Sequence, residues 1–99
     1  MNRRALVAVV GDAGAKEGSP AYECARAVGR LVVDGGMRVV TGGLGGVMEA
    51  ACRGAHESAT YREGDTIGVL PQADPVHANA WVDIVLATNR GKSISSIWM

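Results

Sequence analysis

Four short apolar runs punctuate the chain, at 5–10, 37–41, 66–70 and 82–87, and the first three are separated by stretches with helical periodicity. Ala5-Leu6-Val7-Ala8-Val9-Val10 is continuously apolar up to Gly11, the pattern of a strand buried on both faces. Ser19-Pro20 predicts a helix start, with Ser as N-cap, Pro in the first turn and Glu23 close behind. Ala21, Ala25, Val28 and Val32 share one face of that helix, and Asp34-Gly35-Gly36 stops it. Met37 to Thr41 is a second strand. Val47, Met48, Ala51, Cys52 and Ala55 keep the period of a second helix, with Glu49 and Arg53 spaced for an i,i+4 ion pair. Thr66 to Leu70 is a third strand closed by Pro71, Gln72 to Ala80 a polar loop, and Val82 to Ala87 a fourth strand.

The order β-α-β-α-β-loop-β, with strands too far apart for tight hairpins, predicts a parallel sheet with right-handed crossovers. The expected fold class is α/β, a Rossmann-like three-layer sandwich. By analogy with doubly wound sheets the expected strand order is 3-2-1-4.

Composition narrows the function classes. Ninety-nine residues make one domain with a small core, and with no Phe that core must come from Val, Ala, Leu, Ile and Met. Ten basic residues balance ten acidic ones, so the chain lacks the basic field that nucleic-acid binding needs. A net charge of zero also protects weakly against self-association, and a fourth strand left without a further partner would leave one sheet edge open and partly apolar, so a homo-oligomer is expected. The apolar run at 5–10 is far too short for a membrane span. Cys24 and Cys52 have no metal-ligand spacing and read as two buried thiols in a reducing, cytoplasmic setting.

The candidate chemistry lies in glycines. Between the second strand and second helix the chain reads Thr41-Gly42-Gly43-Leu44-Gly45-Gly46. Glycine lets a ligand approach the main chain, and the following helix offers unpaired N–H groups and a positive dipole end, which favour phosphate. The turn is neither common fingerprint. Counting from Gly43, a dinucleotide G-x-G-x-x-G would need glycine where Met48 stands, and neither Lys16 nor Lys92 completes a G-K-[ST] loop. The competing explanation is a tight turn whose glycines serve packing alone. The loop Gly11-Asp12-Ala13-Gly14 leaves the carboxyl end of the first strand, where open α/β sheets place their ligands, so Gly11, Asp12 and Ala13 are further candidates. Asp12 suits a ribose or base contact and a turn role equally. His56 and His77 have no partners at motif spacing and read as surface residues, while Asp83 reads as structural.

From Thr41 to Ala51, at Gly54-Ala55, at Thr66–Pro71 and at Asn79–Ile84, the sequence resembles the molybdenum-cofactor carrier protein group. That group belongs to a wider Rossmann-like superfamily that includes the LOG phosphoribohydrolases. The resemblance covers roughly Arg4 to Gly91. It implies a cytoplasmic homo-oligomer that binds molybdenum cofactor, a nucleotide or another phosphorylated small molecule around its glycine turns. Thr88 and Asn89, which open the next stretch of the resemblance, join Gly42, Gly43, Leu44, Gly45 and Gly46 as expected ligand-binding residues. From Lys92 onward the sequence departs from the pattern, so residues 1–91 are expected to form an incomplete binding domain and 92–99 a divergent tail. The hydrolases' second glycine turn and catalytic Glu have no counterpart here. A binder without catalysis is therefore the leading expectation, with no resident metal. The alternatives are a nucleoside-monophosphate phosphoribohydrolase, or a truncated domain with fold and assembly surfaces only.

Overall fold

A computed structural model describes residues 4–70 and 78–87. Strand β1 (Leu6–Ala8) leads to helix α1 (Pro20–Asp34), β2 (Arg38–Thr41), α2 (Val47–His56), β3 (Thr66–Leu70) and β4 (Ile84–Ala87). All three strand pairings are parallel, with Val7 opposite Val39, Val40 opposite Ile67, and Gly68 opposite Val85. Every described element was legible in the hydrophobic pattern.

The strand order was not. It is β1-β2-β3-β4, which corrects the expected 3-2-1-4: β4 pairs with β3, and β1 lies at the sheet edge among the described residues. Buried polar pairing between β3 and the stretch entering β4 explains the placement. The Thr66 hydroxyl donates to the Trp81 carbonyl at 2.6 Å and accepts from the Asp83 amide at 2.9 Å. The Asp83 carboxylate in turn accepts from the Gly64 amide at 2.9 Å and the Thr66 amide at 3.4 Å, fixing β4 to the start of β3. Analogy to a doubly wound sheet could not anticipate a clamp made by two side chains seventeen residues apart.

Because β1, β2 and β3 advance in one direction, right-handed crossovers place α1 and α2 on the same face. The described residues thus form two layers rather than the expected three. Val32 and Val33 of α1, Val39 of β2, and Ala51 and Ala55 of α2 make the main core. The two helices touch backbone to backbone: a Cβ on Gly29 would lie 1.9 Å from the Ala51 carbonyl oxygen, and one on Gly54 would lie 1.7 Å from that of Arg26. This contact rotates the buried face of α1 from the expected one. Tyr22, Ala25, Gly29, Val32 and Val33 are buried, whereas Ala21 and Val28 are exposed. Ser19 caps α1 as expected, its hydroxyl accepting from the Tyr22 amide at 3.3 Å.

The opposite sheet face is apolar and uncovered among the described residues. Leu6, Val69, Ile84 and Leu86 lie there and are all exposed, as is Val10 just beyond β1. The expectation that the first run is buried on both faces is therefore corrected: Val7 and Val9 pack against the core, while Leu6 and Ala8 face outward. The cysteines also divide, with Cys52 buried and Cys24 exposed on α1.

Candidate functional site

The two glycine-containing loops that supply the candidate residues meet at the carboxyl end of the sheet. The Val47 amide donates to the Asp12 carbonyl at 2.9 Å. A Cβ on Gly11 would meet the Val47 side chain at 3.0 Å, and one on Gly46 would lie 2.2 Å from the Asp12 oxygen. Gly46 has φ +66 and ψ −131, a conformation for glycine, and it is the N-cap of α2 with no side chain capping the helix. Asp12 turns its carboxylate to the Gly14 amide at 2.7 Å, closing its own loop.

The glycines divide by role. Gly43 (φ +76) packs over β3, where its Cβ would meet Leu70 at 2.8 Å, and Gly46 is fixed by the Asp12–Ala13 backbone. Both are explained by packing. Gly45 is not: its φ lies outside the left-handed region, and a Cβ there would meet only the Ala13 oxygen, at an ordinary 3.5 Å. Gly42 would bring a Cβ to 3.0 Å from the Met48 sulfur, the movable end of a flexible side chain. Leu44 is half-buried.

Main-chain donors are what this end of the sheet has to offer. A helix leaves its first N–H groups without intrahelical partners. Of those at the start of α2, the Val47 N–H is taken by Asp12. Those of Gly46, Met48 and Glu49 have no protein acceptor among the described residues, nor do those of Leu44 and Gly45 in the preceding turn. The positive end of the helix dipole is aimed at the same place.

Asn79, which carries no local motif beyond the resemblance and the polar loop it closes, holds the turn from behind. Its main-chain N–H donates to the Gly43 carbonyl at 2.8 Å, and its side-chain Nδ2 donates to the Leu44 carbonyl at 2.8 Å and to Gly43 at 3.3 Å. The Thr41 hydroxyl accepts the Gly43 amide at 2.9 Å. Cys52 lies against Thr41, and burial pushes its thiol pKa up, so it is a poor nucleophile. A contact between Asn79 and Gly43 across 36 residues leaves no trace in local spacing. Thr88 and Asn89 lie outside the described residues, as does His77.

Other sequence assignments resolve differently. Glu49 and Arg53 form no ion pair among the described residues. Glu49 accepts from the Tyr22 hydroxyl at 2.9 Å, and Arg53 pairs with Glu17 at 2.6 Å. His56 is not a plain surface residue: its Nε2 donates to the Trp81 carbonyl at 2.8 Å, lies 3.2 Å from Asp83, and its ring stacks on Tyr61. Tyr61 donates to both Asp83 oxygens at 2.8 Å, and burial together with that carboxylate raises its pKa. Asp83 is structural, as expected. These groups lie where β3 and β4 begin, at the end opposite the glycine turn. An open groove lined by Glu23, Arg26, Ala27, Arg30 and Glu57 contains none of the candidate residues.

A parallel α/β sheet with a glycine turn between its second strand and second helix, and main-chain donors at that turn with no acceptor among the described residues, defines a Rossmann-like fold class. Residues 4–98 match the SLOG cluster4 family, and the chain belongs to that family. It is similar to the molybdenum cofactor binding protein of the phototrophic bacterium Rippkaea orientalis, with 33% identity and a TM-score of 0.73 over 87% of this chain and 50% of that one. The Moco carrier protein of Chlamydomonas rheinhardtii matches at 31% identity and a TM-score of 0.69, over 93% of this chain and 53% of its own. An uncharacterized Archaeoglobus fulgidus protein is 37% identical over 70 residues, 71% of this chain and 43% of its own length. The chain spans about half the length of the proteins it matches. The resemblance read from Thr41–Ala51 is borne out.

Proposed function

We propose that this chain binds a phosphorylated or nucleotide-bearing small molecule at the Gly42–Gly46 turn, with molybdenum cofactor as the leading ligand, and holds it without transforming it. The observation that carries this reading is the uncapped start of α2, whose Gly46, Met48 and Glu49 amides have no protein acceptor among the described residues. Such a site suits an anionic phosphate held by main-chain N–H groups. The structural likeness to molybdenum-cofactor binding and carrier proteins supports the choice of ligand.

The residues fit the organic part of the cofactor rather than its metal. Among the described residues no group of three or more His, Cys, Asp and Glu side chains could hold a metal ion. The turn would hold the phosphate end, Gly45 would leave room for it, and Gly11, Asp12 and Ala13 would line the adjacent side. Any redox chemistry would belong to the cofactor itself; the protein's part is to grip and orient it. A cytoplasmic setting belongs to the same proposal. Among the described residues no helix is long and apolar enough to cross a membrane.

The experiment is a binding measurement. The protein is incubated with isolated molybdenum cofactor, separated from free ligand by gel filtration, and its retained molybdenum and pterin are quantified. Retention of both near one equivalent per chain is expected, and retention of neither contradicts the reading. A parallel incubation with AMP should release no adenine above background; turnover would instead favour a phosphoribohydrolase.

The apolar sheet face, uncovered among the described residues, favours an additional assembly role, because exposed patches of this kind mark interaction surfaces. A homo-oligomer is proposed, most simply a two-fold dimer. Sedimentation should show a mass that rises with concentration, and a monomer at all concentrations would refute it.

A further inference from the structure

The carbonyls that Asn79 captures determine where the neighbouring amides point. A trans peptide is planar, with its C=O and the next residue's N–H directed oppositely. The Gly43 carbonyl accepts from the Asn79 amide at 2.8 Å, and the Leu44 carbonyl accepts from Asn79 Nδ2 at 2.8 Å. The N–H groups of Leu44 and Gly45 share those two peptide planes and are therefore turned away from Asn79. Neither has a protein acceptor among the described residues.

The orientation of the Asn79 amide is itself fixed. Its Oδ1 accepts from the Trp81 N–H at 2.9 Å, so a flipped side chain would lose that bond and set its oxygen against two carbonyl oxygens. Thr41 completes the restraint by accepting the Gly43 N–H at 2.9 Å. The main-chain groups of Gly43 are thus taken up inside the fold, while those of Leu44 and Gly45 leave their donors available.

We propose that Asn79 is a positioning residue for the ligand site: by anchoring two consecutive carbonyls of the glycine turn, it aims the Leu44 and Gly45 amides at an anionic group, phosphate in the first instance. This rests on the proposed binding role of the turn and adds which donors meet the anion and what orients them. It also gives the segment before β4 a purpose at the carboxyl end of the sheet, where its Asn79 reaches the turn, besides the strand clamp that its Asp83 forms at the other end.

The test uses inorganic phosphate and isolated molybdenum cofactor as probes. In a 1H–15N NMR titration of the unaltered protein with phosphate, the Leu44 and Gly45 amides should shift, with the Gly43 amide, bound to Thr41, moving least. Perturbation absent from Leu44 and Gly45 overturns the proposal, and this arm needs no variant to fold. Asn79→Ala should bind phosphate roughly tenfold more weakly, the equivalent of about one lost hydrogen bond. Asn79→Asp keeps the size and the Trp81 contact but puts an oxygen against two carbonyls, so it should weaken binding further. Melting temperatures measured alongside separate positioning from support: a folded variant with unchanged affinity overturns the proposal. If phosphate moves the two amides as described while molybdenum cofactor is not retained, the ligand assignment fails and the positioning role of Asn79 stands.

Discussion

The two ends of this sheet are built from opposite materials. Where β3 and β4 begin, side chains make the structure: Asp65 is fully buried, paired with Arg4 at 2.6 Å and with the Arg62 amide at 2.9 Å, and Asp83 collects Tyr61, Gly64 and Thr66. At the carboxyl ends of β1 and β2, glycines and main-chain groups dominate, and several N–H groups have no protein acceptor among the described residues. The first end spends its polar groups on holding strands together; the second keeps donors in reserve. The difference teaches where stability and binding are separable: substitutions at the first end should cost folding, and a few at the second should cost only ligand.

The largest effect should come from removing the strand clamp. Asp83→Ala strips the acceptor from the Tyr61 hydroxyl and the Gly64 amide, and should destabilise the protein by about 4 kcal/mol. Denaturant melts check this, and a loss under about 1 kcal/mol would mean the clamp is incidental.

Gly46→Ala comes next and guards against dividing the two ends too simply. Its positive φ and the 2.2 Å approach of the Asp12 oxygen should cost about 3 kcal/mol. Stability and any ligand affinity should fall together, because the two loops can no longer meet. An alanine variant that melts like the unaltered protein would show that the loops are not in contact in solution.

Acid should probe the buried Asp65 pairing. Burial works to raise the Asp65 pKa, but Arg4 and the Arg62 amide outweigh it and hold it below the ordinary carboxylate value. A carboxylate with a lowered folded pKa contributes stability above its unfolded value of about 3.9, and that contribution is lost as pH falls further, through the folded value. Stability measured from pH 7 downward should therefore drop below about pH 4. Asp65→Asn should be less stable at pH 7 and show a shallower acid loss. Identical acid slopes would place the loss elsewhere.

How much of this was legible in the sequence follows the same division. The glycine turn and the loop after β1 could be read because glycine clusters and strand-helix boundaries are local signals; that Gly11–Ala13 packs against Gly45–Val47 is seen only in the structure. The strand order, the buried face of α1 and the role of Asn79 could not. Each depends on contacts between distant residues: Asp83 with Thr66, Gly29 with Ala51, and Asn79 with Gly43. Glu49 and Arg53 carry a further lesson. Their spacing suits an ion pair, but tertiary partners, Tyr22 and Glu17, took both.

The smallest expected effect on folding is at Gly45. Alanine there meets ordinary van der Waals distances and no left-handed strain, so its stability should stay within about 0.5 kcal/mol of the unaltered protein. A larger loss would move Gly45 into the same packing role as Gly43 and Gly46.

That tolerance makes Gly45→Asp the most direct test of a ligand at the turn. The substitution brings a negative charge to the place where an anion should bind, at a position whose backbone accepts a side chain. A carboxylate near a helix N-terminus is compatible with folding, so the variant should melt close to the unaltered protein. Both proteins are melted and then titrated with isolated molybdenum cofactor under the same conditions. A folded Gly45→Asp protein that has lost its affinity is the predicted result. Equal affinity in the two folded proteins would contradict a binding site at the glycine turn.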